Sequence, residues 1–94
     1  MKVRYTQRAL SDLDAIYIYL EQRVPFVAAS VKHFIAERIA GLADFPLMAP
    51  ESFDPGVREL TVLRYPYKVY YEVVGEEVWI LHIRDARRRP WQGE

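Results

Sequence analysis

The sequence predicts an α+β fold in which a short N-terminal strand and an α-helical hairpin precede a three-stranded antiparallel meander. Three observations lead there. Tyr67 to Val74 and Val78 to Ile83 are runs rich in valine, tyrosine, tryptophan and isoleucine, and Gly75-Glu76 between them lets the chain reverse as a β-hairpin. Upstream, two apolar stripes recur at spacings of three and four residues, the period of an amphipathic helix. Between helices and hairpin, Pro46, Pro50, Pro55 and Gly56 break any period, as a connector does.

The elements follow in order. Lys2 to Tyr5 alternates, with Val3 and Tyr5 on one side and Lys2 and Arg4 on the other, and is too short to stand except as an added strand. Thr6 suits a helix N-cap, and Ala9, Leu13, Ile16 and Leu20 form the first stripe; Asp12 and Asp14 fall off it and are read as a solvated face near the helix start. The first helix stops near Gln22-Arg23, because Pro25 cannot continue it and biases Val24 away from helical angles. Pro25 can open the next helix, whose stripe of Ala28, Val31, Ile35, Ile39 and Leu42, widened by Phe34, runs to about Ala43. The apolar members of the connector from Asp44 to Gly56 are expected to pack, and Val57 to Leu63 supplies the first strand of the meander. Tyr65-Pro66 is the turn into the next strand, since proline cannot donate to a ladder. The last strand carries apolar residues in both alternating sets, Val78 and Ile80 against Trp79, Leu81 and Ile83, which suits a central strand with part of its second face covered.

Composition bounds the class. Residues 1–94 are read as one domain, large enough for a hydrophobic core. With 51% hydrophobic and 28% charged residues the chain is too apolar for disorder, and it has no apolar run of membrane-spanning length, so no membrane partner is expected. Thirteen basic residues balance thirteen acidic ones, and the absence of cysteine removes disulfides, thiolate metal sites and a Cys nucleophile. MKVRYTQRAL carries no apolar signal segment, and a cytoplasmic location is the expectation. Against this neutral background Arg84, Arg87, Arg88 and Arg89 crowd the end of the last strand and concentrate positive potential there.

No phosphate loop, HExxH or other nucleotide, metal or nucleophile motif is present, and no cofactor is expected. His33 lies off its helical stripe without an acidic ligand partner read beside it and is taken as a surface residue. Neither histidine has an acidic partner set by local spacing. Metal-free RNA cleavage needs cations to stabilise the phosphorane and a group to move protons; Lys68, Tyr70, Arg87 and Arg88 are of those types. The alternative is that the tyrosines, Tyr71 among them, are strand and core residues and the arginines pair with nearby acids. A second sheet face carrying Trp79 and Leu81 offers apolar surface for a segment of another chain.

ALSDLDAIYIYL, LADFP, VREL, YPYKVYYEV, VWILHI and the terminal RRRP together resemble the RelE/ParE superfamily of bacterial type II toxins, each encoded with a neutralising antitoxin. The resemblance spans nearly the whole chain. It implies a twisted antiparallel sheet with a packed helical hairpin, and basic residues at Lys68 and Arg88. Members resembling RelE, which cleave mRNA on the ribosome, have lysines where Glu59 and Thr61 stand and a tyrosine where Gln92 to Glu94 stand. The chain therefore looks more like ParE, although many ParE members carry a histidine at the place of Asp85. What the ParE resemblance implies is growth inhibition by binding DNA gyrase rather than by catalysis, an association with plasmid stabilisation, and a ParD-like antitoxin with an acidic amphipathic tail. Arg84, Arg87, Arg88, Arg89 and Trp91 would then contact the target, and Trp79, Leu81, Arg84 and Arg87 the antitoxin. The other readings are a RelE-like mRNA interferase using Lys68, Tyr70 and Arg88, with ribosome and mRNA as target, and a non-toxic remnant that only binds an antitoxin.

Overall fold

The computed structural model describes residues 1–87. Its elements are β1 (Lys2–Tyr5), α1 (Gln7–Arg23), α2 (Pro25–Ala40), a 3₁₀ turn (Gly41–Ala43), β2 (Arg58–Val62), β3 (Tyr67–Val74) and β4 (Glu77–Asp85). The sheet order is β1-β4-β3-β2, with β2, β3 and β4 an antiparallel meander and β1 added parallel to β4. The N-terminal strand thus makes the sheet mixed and leaves β4 central.

Local chemistry sets the helix limits. Thr6 Oγ1 accepts from Ala9 N at 3.1 Å, capping α1, and Val24 alone separates α1 from α2, with Pro25 in the first turn of α2 where its missing N–H costs nothing. Asp12 is the sixth residue of α1, too far in for the dipole of the first turn to explain it, and it is not a solvated side chain as the pattern suggested; only Asp14 is exposed. Ala9, Val31, Ile35, Ile39 and Leu42 pack on one sheet face made by Leu60, Val62, Val69, Tyr71, Val78, Ile80 and Ile83. Leu13, Ile16, Leu20 and Phe34 complete that layer, and Phe34 meets the Tyr65 ring edge-on at 5.4 Å.

Two glycines shape the chain reversals. Gly75, with φ of 60°, is the first central residue of the two-residue turn closed by Val74 and Glu77, the place where a type II′ hairpin turn requires positive φ. Gly56, with φ of 84°, follows Pro55 in a turn closed by Val57 N on Asp54 O at 3.0 Å. The connector departs from expectation: Ala49 is buried, but Phe45, Leu47 and Met48 are exposed. Tyr71 Oη donates to Pro46 O at 2.8 Å and Arg58 Nη1 to Ala49 O at 2.6 Å, so the connector is tied to the sheet through its backbone and not through those side chains.

β4 also departs from simple alternation. Tyr71 pairs with Ile80 and Tyr70 with His82, which leaves Leu81 as the extra residue of a bulge. Beyond it the parity reverses, and Ile83 joins Val78 and Ile80 in the core instead of sharing a face with Trp79.

This packing sets a contrast in stability. Ile35 is 0% exposed and Phe26, at the hairpin tip, 99%. Ile35→Ala should lower the unfolding free energy by about 2–5 kcal/mol, and Phe26→Ala should change it by less than about 0.5 kcal/mol, both read by urea denaturation.

Candidate functional site

The sheet face turned away from the helices carries the polar residues that β-alternation leaves over. Lys68 stands between Thr61 on β2 and Arg84 on β4, and Tyr70 stands between Glu59 and His82. Three adjacent strands thus bring Glu59, Lys68, Tyr70, His82 and Arg84 together. Lys68 Nζ donates to Glu59 Oε2 at 3.0 Å and to Thr61 Oγ1 at 3.3 Å. Arg84 Nε donates to the Tyr70 hydroxyl at 3.0 Å, and its Nη1 to Asp85 O at 3.1 Å. The Tyr70 ring lies flat on the His82 ring, centroids 5.9 Å apart and planes 16° from parallel.

Titration follows from these contacts. Burial pushes the Tyr70 phenol above its ordinary value; the Arg84 bond opposes this and Glu59 adds to it. The phenol therefore keeps its proton, donates to Glu59 and accepts from Arg84. For Glu59, burial pulls upward, but hydrogen bonds from Lys68 and Tyr70 with the charges of Lys68 and Arg84 outweigh it, holding the carboxyl below its usual range.

At the edge of the same face α1 takes over where β1 ends. β1 pairs only with Glu77 to Ile80, and beyond it Thr6 Oγ1 donates to Leu81 O at 3.1 Å while Asp12 Oδ2 accepts from Ile83 N at 3.0 Å. The same Asp12 oxygen lies 2.6 Å from His82 Nδ1, so an ionised Asp12 requires the proton on Nδ1. His82 thus has an acidic partner from 70 positions away, which no local spacing could reveal. His33 also has one, Glu37 at 3.3 Å a turn later, correcting its reading as a residue without an acidic neighbour; both side chains are exposed. Among the described residues no three His, Asp or Glu side chains gather where a metal could be held.

The structure places the expected residues unevenly. Arg84 and Lys68 share the face with Tyr70. Arg87 lies past the end of β4 and folds back on Asp85, its Nη2 2.8 Å from Asp85 Oδ2 and its backbone N 2.9 Å from Oδ1. That ion pair raises the Arg87 guanidinium further above its ordinary value. Trp79 is half-buried with Nε1 donating to Glu77 Oε1 at 3.1 Å, and Leu81 is the half-buried bulge residue. Arg88, Arg89 and Trp91 lie outside the described residues. Tyr71 is a core residue, whereas Tyr70, 1% exposed, is buried on the opposite face. Sequence reasoning missed Glu59, Asp12 and His82 as members of this group. Only Glu59 had a readable signal, since it alternates with Thr61 on β2 as Lys68 does with Tyr70 on β3.

A four-stranded sheet of this order with a helical hairpin on one face is the fold of the RelE/ParE class of small proteins. Residues 3–90 match the family described as the ParE toxin of type II toxin–antitoxin systems, parDE, and the chain belongs to that family. It is 32% identical over 88 residues to the Sinorhizobium fredii protein Y4kP, covering 94% of this chain and 91% of that one. A solved structure of the chromosomal ParDE system of P. aeruginosa superposes with a TM-score of 0.83 at 33% identity, covering 90% of this chain and 95% of the other. The isolated E. coli RelE toxin shares the fold, with a TM-score of 0.68 at 14% identity over 94% of this chain and 86% of that one. The chain thus stands closer to ParE than to RelE.

The Glu59 environment carries a pH dependence. Because its folded carboxyl titrates lower than an unfolded one, the stability it adds is complete above the ordinary carboxylate range and is lost as pH falls through the folded value. Urea denaturation at steps between about pH 6 and pH 3 should show a smaller acid loss in Glu59→Gln than in the wild type. Parallel acid limbs would contradict the assignment.

Proposed function

We propose that this ParE-family toxin arrests growth by binding DNA gyrase through the basic end of its sheet, and that a cognate ParD-like antitoxin neutralises it. The observation that carries the reading is the family match over residues 3–90, supported by Arg84 and Arg87 at one sheet end. Binding is favoured over bond cleavage because the cations of this face and of the strand end are held by internal acceptors: Lys68 by Glu59, Arg84 by Tyr70 and a backbone carbonyl, and, past the end of β4, Arg87 by Asp85. The work is assigned to the cytoplasm, where gyrase and DNA are found. An acidic amphipathic antitoxin tail would set carboxylates against Arg84 and Arg87 and an apolar side on Trp79 and Leu81.

Expression of the chain without antitoxin should slow bacterial growth and induce the DNA-damage response, and purified protein should accumulate cleavage complexes on gyrase. Cleavage of mRNA on translating ribosomes, lost in Lys68→Ala, would replace this reading with the interferase one. Normal growth at high expression, with antitoxin binding intact, would leave a non-toxic antitoxin binder.

The two surfaces should separate by mutation. Trp79→Ala should weaken antitoxin binding by roughly 2 kcal/mol or more, as loss of an aromatic anchor does. Arg87→Ala and Arg88→Ala should reduce toxicity sharply and weaken antitoxin binding less. Calorimetric titration beside growth curves checks the ordering, and the reverse ordering would contradict it.

A further inference from the structure

Glu59 sits among its neighbours as a bound anion would. Its Oε2 receives Lys68 Nζ at 3.0 Å, the Tyr70 hydroxyl bonds the same carboxylate, and Arg84 Nε holds that hydroxyl from behind at 3.0 Å. Thr61 Oγ1 lies 3.3 Å from the Lys68 ammonium. A carboxylate and a phosphate make the same demand: several N–H and O–H donors converging on oxygen, with positive charge behind them. The two donors to the carboxylate, Lys68 and Tyr70, both lie on β3, and the register sets Thr61 of β2 and Arg84 of β4 beside Lys68, so the cradle is preorganised by the sheet. The Lys68 and Glu59 side chains are 26% and 29% exposed, so the cradle opens to solvent, with Tyr70 as its floor.

We propose that Lys68, Tyr70, Thr61 and Arg84 form a phosphate-binding site that Glu59 occupies from within, and that Glu59 is the residue that keeps phosphate groups off this face. Its carboxylate repels an incoming anion and, being tethered, competes at a high effective concentration for the donors the anion needs. The depressed titration of Glu59 agrees with a carboxylate held as a ligand. Truncating Glu59 leaves an ammonium, a phenolic O–H and a guanidinium charge around a space open to solvent. The inference stands independently of the gyrase reading, since it concerns what this face excludes.

The test is titration of the wild type, Glu59→Ala and Glu59→Ala/Lys68→Ala with inorganic phosphate and, separately, with the dinucleotide UpU, followed by calorimetry and by the Arg84 Nε–H resonance. Glu59→Ala should bind phosphate at least about tenfold more tightly than the wild type, and the double variant should lose the gain. A matching gain for UpU extends the site to phosphodiesters; a gain for phosphate alone assigns it to the free anion. Equal binding by the wild type and a folded Glu59→Ala, or a gain that survives loss of Lys68, overturns the proposal. If Glu59→Ala does not fold, Glu59→Ser, whose side chain is too short to reach the cradle, supplies the comparison, and the absence of any gain there overturns it equally.

Discussion

The two-residue turn at Gly75 starts β3 and β4 in one register, and the extra residue Leu81 shifts that register once, so the two halves of β4 use opposite parity. Val78, Ile80 and Ile83 can then all reach the helices although their spacing is not that of a regular strand. The same shift sets His82 beside Tyr70 and Arg84 beside Lys68 on the outer face. Without the bulge, His82 would take the core parity and Ile83 would be turned outward. Core and candidate site therefore depend on one irregularity in one strand pair.

β4 extends past β1, which would leave Leu81 O and Ile83 N at an open edge. Thr6 and Asp12 close that gap from α1, so a helix substitutes for the missing length of strand. The helical hairpin is thereby tied to the sheet by hydrogen bonds as well as by apolar packing, close to where Arg84 leaves the strand. Charges are balanced locally: Glu59 answers Lys68 and Glu77 answers Arg4 on the outer face, and Asp85 answers Arg87 at the end of β4. A neutral chain thus keeps Arg84 and Arg87 near the end of β4 already oriented by internal partners.

Much of this was legible in the sequence because it rests on short-range rules. The 3.6-residue stripes, the Thr6 cap, Pro25 and the Gly75 reversal place both helices and the final hairpin, although α2 gives way to a 3₁₀ turn after Ala40 and the last strand runs Glu77–Asp85 instead of Val78 to Ile83. The bulge was not legible: Trp79, Leu81 and Ile83 alternate regularly on paper, and an inserted residue leaves no compositional mark. Asp12 could not be assigned because its partners lie about 70 positions away, and an aspartate off a helical stripe reads as solvated until tertiary structure places it. The outward aim of Phe45 and Leu47 depends on backbone ties to Tyr71 and Arg58, again a tertiary effect. Lys68, Tyr70 and Arg84 were named as residue types, but their convergence with Glu59 required the strand register.

Nuclear Overhauser contacts in the β3 and β4 hairpin test that register most directly. Contacts between the Tyr70 and His82 rings, together with contacts from Ile83 methyls to Val69 and to the helical core, are the predicted result. Contacts that set Tyr70 opposite Leu81, with Ile83 on the Trp79 face, would contradict it and dissolve the cluster of Glu59, Lys68, Tyr70 and Arg84.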